Sequence, residues 1–326
     1  MTRFDWAAVV LGAAFTSGLF LDGWAHTHGR VDDTFFTPWH AVLYSSFFAM
    51  ALLLIGRAAW GFRRTGGWRT AMPPGYGLGL IGVGCWFVGG PFDALWHSIF
   101  GFEANVEALM SPAHAILALG YGLMASGPLR AGLRRAPTGW RDTLAIALSM
   151  TFVLANLTFF TQIAHPISNL WAAGRMRMSE DMIEFGITGL VLTAAILTAP
   201  VLWLLRWNRL PAGGVTIIIG LDAIAMGFVF DRGPYPVPVV LAMIVAALLA
   251  DVLRAALQPD AGRPTAFRIF AAVFPALLYL SYFVTVGITY GLSWSPHLWL
   301  GVVVFAGIIG WLLSYLLLPP RIAIEP

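Results

Sequence analysis

Residues 5–27, DWAAVVLGAAFTSGLFLDGWAHT, form an apolar stretch that ends with an aspartate and a histidine four positions apart. An α-helix rises about 1.5 Å per residue, so about 20 apolar residues cross the hydrocarbon core of a bilayer. The stretch therefore predicts a membrane-spanning helix whose polar end, with Asp22 and His26, lies at a membrane surface.

This polar end is repeated further along the chain. Each copy has an aspartate and a histidine four residues apart at the end of one apolar stretch, and a second histidine just after a proline at the start of the next. The first copy contains Asp22, His26 and His40, and the second contains Asp93, His97 and His114. Side chains four residues apart share one face of a helix, with Cβ atoms about 5–6 Å apart, which allows one ion to contact both.

The residues before each second histidine predict how the chain returns to the membrane. Thr37-Pro38 and Ser111-Pro112 have the order of an N-cap residue followed by proline at the first helical position. His40 and His114 would then lie in the first turn of a returning helix. Each pair of helices would bring three ligating side chains to a similar depth.

The composition places the whole chain in a membrane. Of its 326 residues, 59% are hydrophobic and only 11% are charged, which is too apolar for an ordinary soluble domain. We expect an all-α, polytopic membrane bundle of about ten transmembrane helices in a single domain, 1–326. The expected spans are 5–27, 37–61, 75–100, 108–131, 141–165, 180–205, 213–231, 236–257, 266–291 and 297–318. They would form repeated helical hairpins at about 5–61, 75–131, 141–205, 213–257 and 266–318.

The basic residues predict how the chain is oriented. All 19 are arginines, and most lie in alternate loops that the positive-inside rule assigns to the cytoplasm. Arginines in short loops between apolar stretches indicate orientation rather than binding to nucleic acid. We expect a multi-pass protein in the lipid bilayer of a bacterial-type inner membrane, with both termini cytoplasmic and both copies of the pattern facing the periplasm.

Six ionisable groups at the ends of apolar helices need a physical reason. Such groups are unfavourable near hydrocarbon, and they normally mark a metal, an ion pair or a proton path. Two copies with the same spacing favour metal binding, while structural Asp-His pairing and a proton path remain alternatives. Carboxylate and imidazole ligands without sulfur suit copper, with zinc or iron as alternatives, and copper has the highest affinity in the divalent series.

Three further residues are candidates to support the ligands without binding the ion themselves. His28 lies two positions after His26, Glu103 lies in the loop of the second copy, and Asp222 is an acid inside a later apolar stretch. A loop histidine and a solvated glutamate are the simpler interpretations of the first two. Asp222 needs a partner within the protein, either in a proton relay or in an interhelical hydrogen bond.

The repeated motif resembles the copper site in the C subunit of the particulate methane and ammonia monooxygenases. In that family, an aspartate and two histidines from membrane helices hold copper near the periplasmic side. The resemblance implies copper ligands at Asp22, His26 and His40, and again at Asp93, His97 and His114. It also implies monooxygenase-like chemistry at these positions.

Two functions from different classes are open. The first is a copper-dependent, monooxygenase-like membrane oxidoreductase that uses O₂ to oxidise a small apolar substrate, with electrons from a quinol or a redox partner subunit. The second is a non-enzymatic copper transport or delivery protein of the cell membrane. A transporter would need further ligands deeper in the membrane, and Asp222 and Met226 are among the few that could supply them.

Overall fold

The computed structural model of the chain describes residues 1–30, 37–101, 106–174, 179–230 and 236–320. Within these ranges the chain is helical and has no strand, apart from one isolated bridge between Ala173 and Leu292. The all-α class expected from the sequence is confirmed for the described residues. The helices are α1 (Arg3–Thr27), α2 (Pro38–Thr65), α3 (Trp68–Ala71), α4 (Gly77–Phe100), α5 (Val106–Met110), α6 (Pro112–Ala125), α7 (Gly127–Leu133), α8 (Trp140–Phe160), α9 (Glu180–Arg206), α10 (Gly214–Val229), α11 (Val237–Leu257), α12 (Pro264–Thr289) and α13 (Pro296–Leu317).

Eight helices in the described part of the chain are long and apolar enough to cross a membrane by length and composition. They are α1, α2, α4, α8, α9, α11, α12 and α13. This set indicates a multi-pass membrane protein and corresponds to eight of the ten expected spans. The other two expected spans, 108–131 and 213–231, contain shorter helices.

The expected span 108–131 is divided between α6 and α7 at Ser126, which is the C-cap of α6. Pro128 follows two residues later. It has no N–H, and in a continuous helix its ring would clash with the carbonyl four residues earlier. The Arg130 side chain folds back and donates to Leu123 O at 2.8 Å, so a carbonyl near the break has a partner.

The expected span 213–231 contains α10, which has only 16 residues. A helix of this length rises about 24 Å, which is less than the roughly 30 Å of hydrocarbon in a bilayer. Another helix fixes its start. The carboxylate of Asp251 in α11 accepts hydrogen bonds from Val215 N and Thr216 N at 3.3 and 2.9 Å, which satisfies N–H groups that have no partner within α10.

The described residues divide into two compact units, and the first comprises residues 1–162 and 228–230. In this unit α1 packs against α2, α4 packs against α6, α2 contacts α4, and α1 contacts α6. The four helices enclose an aromatic core formed by Phe15, Phe47, Trp86 and Tyr121, one from each helix. The Phe15 ring centroid lies 4.7 Å from that of Trp86 and 4.3 Å from that of Tyr121. The Phe47 and Trp86 rings stack at 5.0 Å.

A buried carboxylate fixes the first turn of α1, at the end of that helix far from Asp22. Asp5 is fully buried and accepts hydrogen bonds from Thr2 N at 2.6 Å, Tyr76 Oη at 2.8 Å and Arg135 Nη1 at 2.7 Å. Because Tyr76 precedes α4 and Arg135 follows α7, these bonds hold the start of α1 to the start of α4 and to the end of α7.

The second unit comprises residues 163–227 and 231–326. In its described part, α12 packs against α11, α13 and α9, and α13 also packs against α9. Phe267, Phe270 and Phe274 of α12 are fully buried, and the last two rings stack with centroids 5.7 Å apart. This unit contains the buried acid Asp222.

Candidate metal centres

Two groups of side chains in the first unit could each hold a metal ion. Site 1 consists of Asp22, His26 and His40, and site 2 consists of Asp93, His97 and His114. In each site, one ligating atom from every residue lies within 4.8 Å of the others. Site 1 joins the end of α1 to the start of α2, and site 2 joins the end of α4 to the start of α6. The structure therefore brings together the three residues of each sequence pattern.

In site 1 the carboxylate of Asp22 faces both histidines. His40 Nε2 lies 3.4 Å from Asp22 Oδ1, and His26 Nε2 lies 3.8 Å from Asp22 Oδ2. The two imidazole rings have centroids 6.3 Å apart and an interplanar angle of 53°. The Nε2 atoms and the carboxylate thus point at a common region between α1 and α2.

Site 2 repeats this geometry with a different helix pair. Asp93 Oδ1 lies 3.5 Å from His97 Nε2 and 3.2 Å from His114 Nε2. The two imidazole rings have centroids 5.9 Å apart and an interplanar angle of 59°, close to the values in site 1. The similarity extends from the sequence pattern to the relative placement of the rings.

The separations between the ligating atoms suit a shared ion better than direct hydrogen bonds. A typical N–H···O bond measures about 2.9–3.0 Å, whereas these separations run from 3.2 to 3.8 Å. Ligands placed tetrahedrally at about 2.0–2.1 Å from an ion lie about 3.3–3.4 Å from one another. Among the described residues, the buried Oδ1 atoms of Asp22 and Asp93 accept no hydrogen bond. Such a buried acceptor is costly alone, and a cation would stabilise it.

The expected N-caps position the second histidine of each site. Thr37 Oγ1 accepts a hydrogen bond from His40 N at 3.1 Å, and Ser111 Oγ accepts one from His114 N at 3.2 Å. In both helices proline follows the cap residue. The predicted order of cap, proline and first-turn histidine is therefore confirmed, and it fixes the depth at which each imidazole enters its site.

A glycine one turn before each aspartate lets the two helices of each pair approach closely. A Cβ added to Gly18 would lie 2.9 Å from Leu43 Cα, and one added to Gly89 would lie 2.9 Å from Leu117 Cδ2. Leu43 and Leu117 each follow the second histidine of their site by three residues. This glycine-leucine contact is a further part of the repeat that the spacing of ionisable residues alone did not reveal.

The aromatic core stands at a fixed distance along the chain from both sites. Each of its four rings lies seven residues, or two helical turns, from a ligating residue of its own helix. The pairs are Phe15 with Asp22, Phe47 with His40, Trp86 with Asp93, and Tyr121 with His114. Seven helical residues rise about 10 Å, so both sites lie at about the same height above a shared core.

The two sites differ in how open they are. The exposed fractions of the side chains are 15% for Asp22, 40% for His26 and 20% for His40. They are 7% for Asp93, 13% for His97 and 26% for His114. Site 2 is the more enclosed of the two, while His26 gives site 1 contact with its surroundings.

One histidine of site 2 is oriented by the backbone. His97 Nδ1 lies 3.3 Å from Gly101 O. A carbonyl oxygen only accepts, so this contact assigns the ring proton to Nδ1. The lone pair of Nε2 is then directed at the site, as in many metal centres where a histidine donates its other N–H to a carbonyl.

The three candidate supporting residues lie in different places relative to the two sites. His28 is the C-cap of α1, its ring stacks on Trp24 at 4.7 Å, and Nδ1 lies 2.8 Å from Trp24 O. It lies outside the group of three site 1 residues whose ligating atoms come together. Glu103 lies outside the described residues. Asp222 belongs to the second unit, whereas both sites belong to the first.

Asp222 faces a histidine that the sequence pattern did not assign to it. His165 Nε2 lies 3.5 Å from Asp222 Oδ2, and both side chains are only 1% exposed. His165 Nδ1 accepts a hydrogen bond from Ile167 N at 3.2 Å, which directs the ring proton to Nε2. The two residues are distant in sequence, and the only signal for the pairing was that a buried acid requires a partner.

Each site offers one carboxylate and two imidazoles to a divalent transition-metal ion. Catalytic metal sites commonly have three protein ligands and an open position for water or substrate, whereas structural zinc sites have four. Three protein ligands at each of sites 1 and 2 would leave a coordination position for an exogenous ligand, and the ligand types suit copper, zinc and iron. The chain matches no protein-family model, no curated protein and no solved structure with which it was compared.

Proposed function

We propose that this protein binds two copper ions, one at site 1 and one at site 2, on the periplasmic side of a bacterial-type inner membrane. The observation that carries the proposal is the repeated carboxylate, with a buried Oδ1 atom in each copy, facing two imidazole Nε2 atoms at 3.2–3.8 Å. The three residues of each site are the metal ligands. Copper is preferred over zinc and iron because it forms the most stable complexes with nitrogen and oxygen ligands in the divalent series.

The proposal extends to the arrangement of the chain in the bilayer. Residues 1–326 form one membrane domain that crosses the bilayer ten times in five hairpins, eight times by the long helices and twice by the shorter helices within 108–131 and 213–231, with both termini cytoplasmic. The packing of α1 on α2 and of α4 on α6 supports the first two hairpins. The arginines in alternate loops support the orientation. Cysteines introduced in the loops test this topology, because a membrane-impermeant label should react in intact cells only with those in loops that face outward.

The activity that fits these sites best is an O₂-dependent oxidation of a small apolar substrate from the bilayer. Copper would supply the oxygen chemistry, and a quinol or a redox partner subunit would supply electrons. Three protein ligands per ion leave a coordination position for a reactant. No third group of three or more histidine, cysteine, aspartate or glutamate side chains in the described residues could hold a metal, which supports a local reaction over a path across the membrane.

Metal analysis of the purified protein tests the binding proposal. We expect two equivalents of copper in the natural sequence and one equivalent in each of the variants His26→Ala and His97→Ala. His297→Ala is the control, because His297 is exposed at the start of α13 and should leave two equivalents. Absence of metal from every preparation, including those supplemented with copper, would contradict the proposal.

Copper transport or delivery is the second candidate, and one observation favours it. The His26 side chain is 40% exposed, so an ion at site 1 can exchange with its surroundings. Oxygen uptake with a reduced quinol and small hydrocarbons separates the two functions from each other. An enzyme consumes O₂ in a way that His26→Ala and His97→Ala abolish, whereas a carrier moves copper into proteoliposomes without consuming O₂.

A further inference from the structure

Sites 1 and 2 are carried by neighbouring helices of one unit. The site 1 helices α1 and α2 contact the site 2 helices α6 and α4, respectively. Packed helices have axes about 8–10 Å apart. Both sites also stand two turns above the same aromatic core, in which the Phe15 and Trp86 rings join α1 to α4 at 4.7 Å. The geometry therefore places the two sites side by side rather than at separate parts of the unit.

Tyr44 fills the space between the two helix pairs. It follows His40 by one turn of α2, and its ring centroid lies 6.2 Å from that of His40 and 5.7 Å from that of Trp86. Its hydroxyl reaches α4 at Gly90, where an added Cβ would lie 3.5 Å from Tyr44 Oη. Gly90 precedes Asp93 by three residues, so one side chain touches a ring of site 1 and the helical turn that carries the acid of site 2.

The charges of the two sites interact with each other. Asp22 of site 1 lies within electrostatic range of His114 and Asp93 of site 2. His26 of site 1 likewise lies within electrostatic range of His97 and His114. Salt screens partly buried charges much less than exposed ones. A change of charge at either site therefore alters the electrostatic potential at the other.

We propose that sites 1 and 2 form one coupled pair, in which a divalent metal ion bound at either site weakens binding at the other. This inference rests on the proposed metal binding. Even with the dielectric constant of water, two divalent ions about 10 Å apart repel enough to reduce the second binding constant about tenfold, and the effect is larger inside a protein. The pair would therefore fill in two distinct steps although its two sites have the same ligands.

A titration with copper(II) against a competing chelator tests this coupling on the full-length protein in detergent. The natural sequence should show two stepwise constants that differ by about tenfold or more. His26→Ala and His97→Ala each remove one imidazole and keep both aspartates. Each variant should bind one ion with nearly the constant of the tighter step, because no first ion is present to repel it. His40→Ala and His114→Ala repeat the comparison if either variant fails to fold.

The possible outcomes separate the coupling from the binding itself. If one variant binds with the constant of the weak step and the other with that of the tight step, the sites are independent and the coupling is refuted while metal binding stands. If the natural sequence binds no copper, both proposals fail. Electron paramagnetic resonance gives a second readout. The spectrum of the doubly loaded protein should show dipolar broadening that is absent from both variants, and a simple sum of two single-site spectra would overturn the coupling.

Discussion

Phe15 and Trp86 pack edge to face with ring centroids 4.7 Å apart, and each lies seven residues before the aspartate of a metal site. The contact joins α1 to α4, and so joins the outgoing helix of one site to the outgoing helix of the other. Both triads depend on the same buried rings for their placement. Variants of the core should therefore affect the two sites together, whereas variants within one helix pair should affect one site.

Replacement of Trp86 tests whether the core supports both sites. Trp86→Ala removes a large buried ring and should cost about 3–5 kcal/mol of unfolding free energy, with loss of copper from both sites. Trp86→Phe keeps a ring but loses the hydrogen bond from Nε1 to Leu117 O at 2.8 Å, a cost of about 1 kcal/mol. Denaturation in detergent and copper content measure the two effects. Val88→Ala is the control, since Val88 is 64% exposed on the same helix. Loss of copper from site 2 alone after Trp86→Ala would speak against a shared support.

Gly18→Ala and Gly89→Ala should differ in severity. The added Cβ of Gly18→Ala meets backbone, Leu43 Cα at 2.9 Å, so α1 and α2 must separate. The added Cβ of Gly89→Ala meets the end of the Leu117 side chain, which can rotate. Overpacking costs about 1–3 kcal/mol, and we expect copper affinity at site 1 to fall about tenfold or more in Gly18→Ala, with a smaller change at site 2 in Gly89→Ala.

Copper titration of both variants checks this difference. Gly84→Ala is the matched control in α4, because nothing lies within 4 Å of its added Cβ. Alanine is favoured over glycine within a helix by about 1 kcal/mol, so this control should not lose stability. Equal effects of Gly18→Ala and Gly84→Ala would show that the close approach of α1 and α2 is unimportant for site 1.

Removal of an N-cap should weaken one site and spare the other. Thr37→Ala leaves His40 N without its side-chain acceptor and should cost about 1 kcal/mol. The first turn of α2 would loosen, and copper affinity at site 1 should fall while site 2 keeps its own. Thr37→Ser retains the hydroxyl and should behave as the natural sequence. Ser111→Ala should lower copper affinity at site 2 and leave site 1 unchanged. An equal loss of copper affinity at both sites in either variant would contradict the assignment of each cap to one site.

The buried pair of His165 and Asp222 should stabilise the second unit without holding a metal. His165→Ala leaves the Asp222 carboxyl buried without its histidine, and loss of one partner of a buried pair costs about 3–5 kcal/mol. Thermal unfolding in detergent measures the loss. Copper content should stay at two equivalents in this variant and in Asp222→Asn. A fall in copper content in both variants would contradict this prediction and would indicate that Asp222 supports the metal ligands.

The local parts of both sites could be predicted because they follow from short-range rules. The four-residue step from Asp22 to His26 and the cap-proline order before His40 each depend on one helix and its first turn. The pairing of His165 with Asp222 depends on tertiary packing, which a single sequence does not reveal. The same holds for Gly18, whose role is apparent only once Leu43 is seen against it.

The two spans that differ from expectation also have physical reasons. Hydropathy sums over 108–131 without regard to the break between α6 and α7, where Pro128 lacks an N–H and Ser149 of α8 accepts from Leu129 N and donates to Ala125 O. In 213–231 the count of apolar residues suggested a full span, but α10 begins at Gly214, where Asp251 of another helix accepts its first N–H groups. Composition thus predicted where the chain is apolar, while the ends of the helices depend on proline and on contacts between helices.

X-ray absorption at the copper edge is the most direct test of the claim that each triad holds a metal ion. We expect a shell of nitrogen and oxygen ligands at about 2.0–2.1 Å, scattering from two imidazoles per ion, and no sulfur at about 2.3 Å. His26→Ala and His97→Ala should each lower the metal content and leave a spectrum of the remaining site. A sulfur shell, or a spectrum and copper content unchanged in a variant that combines both substitutions, would contradict the claim that each triad holds a metal ion.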